Sequence, residues 1–138
     1  MLMTDEKLLN SIKSEAVRAA ENAYAPYSGF RVGAAAACGG RIFTGTNVEN
    51  RSYGLTVCAE RNAVSAAVNA GCREITAIAV YCMDAGTAVP PCGACRQVLA
   101  EFAAPEVSVF FAGKDKVFRS LTIKELYPED SLHDLRKY

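Results

Sequence analysis

Residues 58–82 read CAERNAVSAAVNAGCREITAIAVYC. The first half is rich in alanine, the strongest helix former, and stops at Gly71, so it predicts a helix over 58–70. The second half, Ile75 to Tyr81, is a continuous apolar run of the kind found in a strand buried on both faces. A strand covered twice needs helices above and below it, and the flanking sequence supplies them. Downstream, a loop over 83–91 closes with Pro90-Pro91, and Cys92 to Ala103 predicts another helix. Upstream, Phe30 to Cys38 is a run of small apolar residues. Gly39-Gly40 then makes a two-residue hairpin turn, and Arg41 to Val48 returns as a second strand.

Over residues 5–24, Leu8, Leu9, Ile12, Ala16, Ala19, Ala20 and Ala23 recur at helical spacing, with Thr4 as a candidate cap and Pro26 as the stop. Beyond the third helix, Val107 to Phe111 and Val117 to Leu121 predict strands, and Thr122 to Leu126 a short helix before Pro128. This alternation predicts an α/β fold: three layers, α/β/α, with a mixed five-stranded sheet and helices on both faces. A chain of 138 residues is the length of one domain, 1–138. The polar residues 129–138 read as an arm.

Lys plus Arg equals Asp plus Glu, 15 each. Nucleic-acid binders carry a basic excess because phosphate contacts dominate their affinity, so a small uncharged partner is expected and no nucleic acid. No apolar run reaches the length of a membrane span. Asp5, Glu6 and Lys7 stand where a signal peptide needs its apolar run, which makes the cytoplasm the default compartment.

Six cysteines and one histidine are present. Without a secretory signal, free thiols or metal ligands are expected rather than disulfides. Cys38, Cys72 and Cys82 lie in apolar strands or at a helix end and read as small core hydrophobes. Cys58, Cys92 and Cys95 stand instead at predicted helix starts, where the helix dipole favours thiolate. Three thiolates suit a soft divalent cation. Zinc is the natural candidate, iron being compatible with the same ligands, and the fourth position stays open for water. Glu60, two residues after Cys58, is directed away from the ligand position and suits a proton shuttle. Three thiolates would make a bound water less acidic. Arg61 and Arg96 would offset this by hydrogen-bonding the sulfurs; their alternative is an exposed helix charge. Two rivals remain on these residues alone: a non-catalytic, zinc-stabilised binding module, and a redox protein using Cys92 and Cys95.

Cys58-Ala59-Glu60-Arg61 followed by Pro91-Cys92-Gly93-Ala94-Cys95-Arg96-Gln97 resembles the zinc-dependent nucleoside and nucleobase deaminases, and among them the small cytidine deaminases with three cysteine ligands. Ala25 to Ala35 (APYSGFRVGAA) and Gly45 to Asn50 (GTNVEN) are similar to segments of the same family, so the likeness covers most of the chain. It implies one zinc per subunit on Cys58, Cys92 and Cys95, with Glu60 as the catalytic acid and base. It implies that Phe30 packs on the pyrimidine, that Asn47 and Glu49 bind the ribose, and that backbone groups near Ala59 hold the base. The implied reaction is hydrolytic deamination of cytidine and 2'-deoxycytidine to uridine and 2'-deoxyuridine plus ammonia, in pyrimidine salvage, by a cytoplasmic homotetramer. One departure stands out. The family's C-terminal aromatic, which stacks on the base from a neighbouring subunit, is missing from Leu126-Tyr127-Pro128-Glu129-Asp130, leaving Tyr127 or Tyr138 as substitutes. Blasticidin S deaminases share the zinc motifs but lack the full Asn-Val-Glu-Asn segment; a nucleoside-analogue deaminase of that kind is the alternative reading.

Overall fold

The computed structural model describes residues 5–135, so the Thr4 cap and Tyr138 lie outside the described residues. The first helix, α1, spans Asp5–Ala20. It ends four residues earlier than its periodicity predicts, because the backbone of Tyr24 is claimed elsewhere. Tyr24 N–H donates to Asn47 O at 3.0 Å and its carbonyl accepts from Glu49 N at 2.9 Å. Strands β1 (Val32–Cys38) and β2 (Arg41–Thr46) pair antiparallel across Gly39-Gly40, both at positive φ as a two-residue turn of this hand requires. Helix α2 (Ala59–Asn69), strand β3 (Ile75–Cys82) and helix α3 (Gly93–Phe102) follow, then β4 (Ala103–Ala112), β5 (Arg119–Thr122) and the short helix α4 (Ile123–Leu126).

The sheet order is β2-β1-β3-β4-β5. Only β3 and β4 pair in parallel, joined through α3, so the sheet is mixed as expected. One face is covered by α1, whose Ile12, Ala16 and Ala20 pack on Ala35, Ala37, Ala79 and Tyr81. The other face is covered by α2, α3 and α4, with Ala63, Val64 and Leu99 among Ala34, Ala36, Ile78 and Phe111. Strand β1 therefore buries alanines on both sides, which only small side chains allow at this spacing. Strand β4 starts earlier than Val107 because Ala103 pairs with Ile75. The register then shifts before Ala77 meets Ser108, and Pro105 is accommodated in that irregularity.

Gly45 sets the height of α2. A Cβ there would lie 2.4 Å from Ala63 N and 2.6 Å from Ala59 O. The alanine-rich face of α2 thus lies on its own sheet, close enough for its N-terminal turn to reach the pocket described below. One expectation is corrected. Cys38 and Cys72 are not free thiols but a disulfide, with Cα atoms 6.1 Å apart. The hairpin turn after β1 and the positive-φ turn at Gly71 bring the two residues together. Cys82 remains a free, buried thiol. Among the described residues, no helix is long and apolar enough to cross a membrane.

Candidate active site

Helices α2 and α3 begin side by side. Cys58 and Cys92 are their N-cap residues, each in an extended backbone conformation and neither using its side chain as a cap. Both sulfurs are left available, and Cys95 joins them from the buried first turn of α3. The three Sγ atoms lie within 4.8 Å of one another. Cys58 and Cys92 are separated by 3.8 Å. An ion bound tetrahedrally at about 2.3 Å from each sulfur holds thiolates about 3.8 Å apart, so the donor set fits zinc in both chemistry and spacing.

Without a cation Cys58 and Cys95 do not ionise together. A hydrogen bond from the Cys95 thiol, together with Arg61, holds Cys58 down to about 5. That same bond, with burial, pushes Cys95 up. A divalent cation removes the conflict by stabilising every thiolate at once. Arg61 Nη2 donates to Cys58 Sγ at 3.4 Å, so one of the two expected charge-compensating arginines touches a sulfur. Arg96 is used differently: its Nε donates to Pro91 O and its Nη1 to Leu126 O, both at 2.8 Å.

Glu60 is only 5% exposed in the first turn of α2. Burial, with a smaller push from the Cys58 thiolate and against opposing hydrogen bonds, raises its carboxyl to about 7. It lines a cavity of about 330 Å³ together with Cys58, Cys92, Ala59, Phe30, Asn47 and Glu49. Val32, Val80, Val89 and Pro90 add an apolar wall, together with the Cys82 thiol, which burial and the Glu60 charge push up to about 12. A volume of this size with a few converging polar groups is that of a small-molecule pocket. A hollow of about 400 Å³ along the polar face of α1 contains none of these groups.

Phe30, Asn47, Glu49, Cys58, Ala59, Glu60 and Cys92 therefore meet at one cavity, while Cys95, Arg61 and Arg96 do not line it; Asn47 and Glu49 carry duties that spacing does not reveal. Asn47 Nδ2 donates to Phe30 O at 2.8 Å and its Oδ1 accepts from Val32 N at 2.9 Å, fixing the segment that carries Phe30. Glu49 Oε1 accepts from Tyr27 N at 2.9 Å and Ser28 N at 3.1 Å, and Oε2 accepts from the Ser28 hydroxyl. These bonds, the Ser28 hydroxyl first, lower the Glu49 pKa, so it presents a carboxylate. Ser28, Thr56 and Cys82 line the cavity as well and carry no sequence signal of their own. Tyr127 does not line it; its hydroxyl donates to Gln97 Oε1 at 2.6 Å.

Residues 6–111 match the family described as the cytidine and deoxycytidylate deaminase zinc-binding region. The cytidine deaminase of Halalkalibacterium halodurans is 47% identical over 115 residues, covering 83% of this chain and 86% of that protein. The cytidine deaminase of Sporosarcina psychrophila is 43% identical over 127 residues, covering 91% and 90%. The crystal structure of cytidine deaminase from Burkholderia pseudomallei superposes with a TM-score of 0.83 at 42% identity, covering 92% of this chain and 98% of that one.

Proposed function

The chain belongs to the cytidine and deoxycytidylate deaminase zinc-binding family, and from that membership we propose that it deaminates cytidine, and 2'-deoxycytidine with it, by hydrolysis in pyrimidine salvage. One observation carries the reading: three sulfurs converge at two helix N-termini, and a buried carboxylic acid faces the same cavity.

Cys58, Cys92 and Cys95 hold one zinc per subunit. When bound, the ion supplies a Lewis acid at which water ionises near neutral pH. Glu60 accepts one proton of the attacking water and passes it to N3 of the pyrimidine; it then takes the remaining proton from the new C4 hydroxyl, which becomes the carbonyl, and gives it to the departing amino group. Cytidine and water become uridine and ammonia. A carboxyl that accepts and then donates works best with a pKa near the working pH, and the burial of Glu60 moves it in that direction. Arg61 draws charge from Cys58. Phe30 packs on the base, and backbone groups at Ala59 hold its edge. The carboxylate of Glu49 and the remaining donor of Asn47 bind the ribose hydroxyls.

We place the working enzyme in the cytoplasm, as a single domain assembled into a homotetramer. Exposed apolar groups beside the cavity, Tyr27 and Tyr53 among them, support an assembly that covers this rim. Loss of the cytidine absorbance band by purified protein, with zinc measured on the same sample, tests the reading. Turnover is expected with about one zinc per chain, and Glu60→Gln should lower kcat on the order of 10²–10⁴-fold. Zinc without turnover of either nucleoside refutes the substrate, and near-normal turnover by Glu60→Gln refutes the role of Glu60. Light scattering at the mass of one chain, with activity intact, refutes the tetramer.

A further inference from the structure

The geometry points to Arg96 as a positioning residue that clamps the Cys92 ligand segment to the C-terminal helix α4, so that zinc retention depends on a part of the chain that contributes no ligand. The inference rests on the three-thiolate site proposed above.

Arg96 lies one residue after Cys95 and its guanidinium is forked. Nε donates to the carbonyl of Pro91, the residue immediately before Cys92, and Nη1 donates to the carbonyl of Leu126, each at 2.8 Å. Pro91 is fully buried, so its carbonyl belongs to a segment with little freedom to find water. Leu126 ends α4, where helix carbonyls have no partner within the helix. One side chain thus satisfies two orphan acceptors and joins them. Among the described residues, no carboxylate lies within ion-pair distance of Arg96. A second bond runs the same way: the Tyr127 hydroxyl donates to Gln97 Oε1 at 2.6 Å. The α4 end of this bridge is itself fixed. Thr122 and Glu125 form a reciprocal capping box, and Ile123 and Leu126 are buried in the core. Only a planar fork with several donors spans two carbonyls in this way, and an ammonium does not.

Groups that orient a metal ligand from behind typically change metal affinity by about 10–100-fold when removed. Arg96→Lys, which keeps the charge and removes the fork, should therefore release zinc to a chromogenic chelator roughly 10-fold or more faster than the parent, with far-UV circular dichroism unchanged. Tyr127→Phe cuts the neighbouring bond but leaves Pro91 alone, and should release zinc within about twofold of the parent. Equal release by Arg96→Lys and the parent overturns the clamp, as does equal acceleration by both variants, which would mean that any loosening of α4 suffices. A measurement on the unaltered chain covers the case in which Arg96→Lys does not fold. Because the coupling is reciprocal, stripping zinc should speed amide hydrogen exchange in residues 123–127 as well as in 92–97, while β2 keeps its protection. Exchange in 123–127 that ignores the metal overturns the proposal. A parent chain that binds no zinc refutes the three-thiolate site itself. A parent that holds zinc, with no difference in Arg96→Lys, refutes only the clamp.

Discussion

Breaking the Cys38–Cys72 bond by Cys72→Ala should cost stability without touching the pocket. The bond closes a loop with a sequence separation of 34. Restricting the unfolded chain over that length is worth about 3.8 kcal/mol at 25 °C by loop-closure entropy. Cys72 rather than Cys38 is the residue to change, because Cys38 is fully buried and its removal would add a cavity term to the loss. Urea unfolding followed by circular dichroism, with zinc saturating in both samples, reads the difference directly. With a slope of about 2 kcal/mol per molar urea, the midpoint should fall by roughly 2 M. Zinc content and kcat should stay near the parent values. Cys72 lies beyond the far end of α2, whose 11 residues put it about 16 Å along the helix from Cys58. A loss below about 1 kcal/mol would refute the entropic reasoning. A stable variant that nonetheless loses zinc would refute the independence of the two ends of α2.

Gly45→Ala should destabilise the chain by about 3 kcal/mol or more, since the new methyl meets the backbone of α2 rather than a side chain that can turn away; a thermal midpoint like the parent's would show that α2 shifts freely. Arg61→Gln in the metal-free protein should raise the lowest thiol pKa above about 5, the parent value at Cys58, in an ultraviolet thiolate titration; an unchanged curve would remove Arg61 as a cause. Arg31 donates to both carboxylate oxygens of Asp84 and holds its pKa down at about 2. A depressed acid stabilises the fold above its unfolded pKa and loses that contribution as pH falls. The parent should therefore weaken between about pH 4 and about pH 2, and Arg31→Gln should flatten that part of the pH profile.

The hairpin, the α2 helix and the buried strand β3 were all legible because each rests on local chemistry: paired glycines, an alanine run, an unbroken apolar stretch. The sulfurs of Cys58, Cys92 and Cys95 were legible because helix starts are marked by the loops before them, and because the motifs resemble a known family. The Cys38–Cys72 bond was not. Two cysteines 34 residues apart carry no spacing signature, and their apolar surroundings read as those of small core hydrophobes. Arg96, read as either a sulfur donor or an exposed helix charge, has bonds that were hidden for a related reason. Its sequence position beside Cys95 suggested a sulfur partner, whereas its acceptors are carbonyls, one of them 30 residues away, which only tertiary packing brings near. Asn47 and Glu49 were legible as members of the pocket, while the bonds that Asn47 makes to the Phe30 segment and Glu49 to the Tyr27–Ser28 turn became visible only once the chain had folded back on itself.

The placement of the three sulfurs also ties metal binding to folding. Cys92 and Cys95 stand at the start of α3, but Cys58 comes from the start of α2 and meets them only in the folded chain, in which β3 lies between β1 and β4. In the unfolded chain only Cys92 and Cys95 are neighbours, three residues apart. A cation held by all three sulfurs therefore prefers the folded chain to the unfolded one, and its binding adds to the stability of the fold.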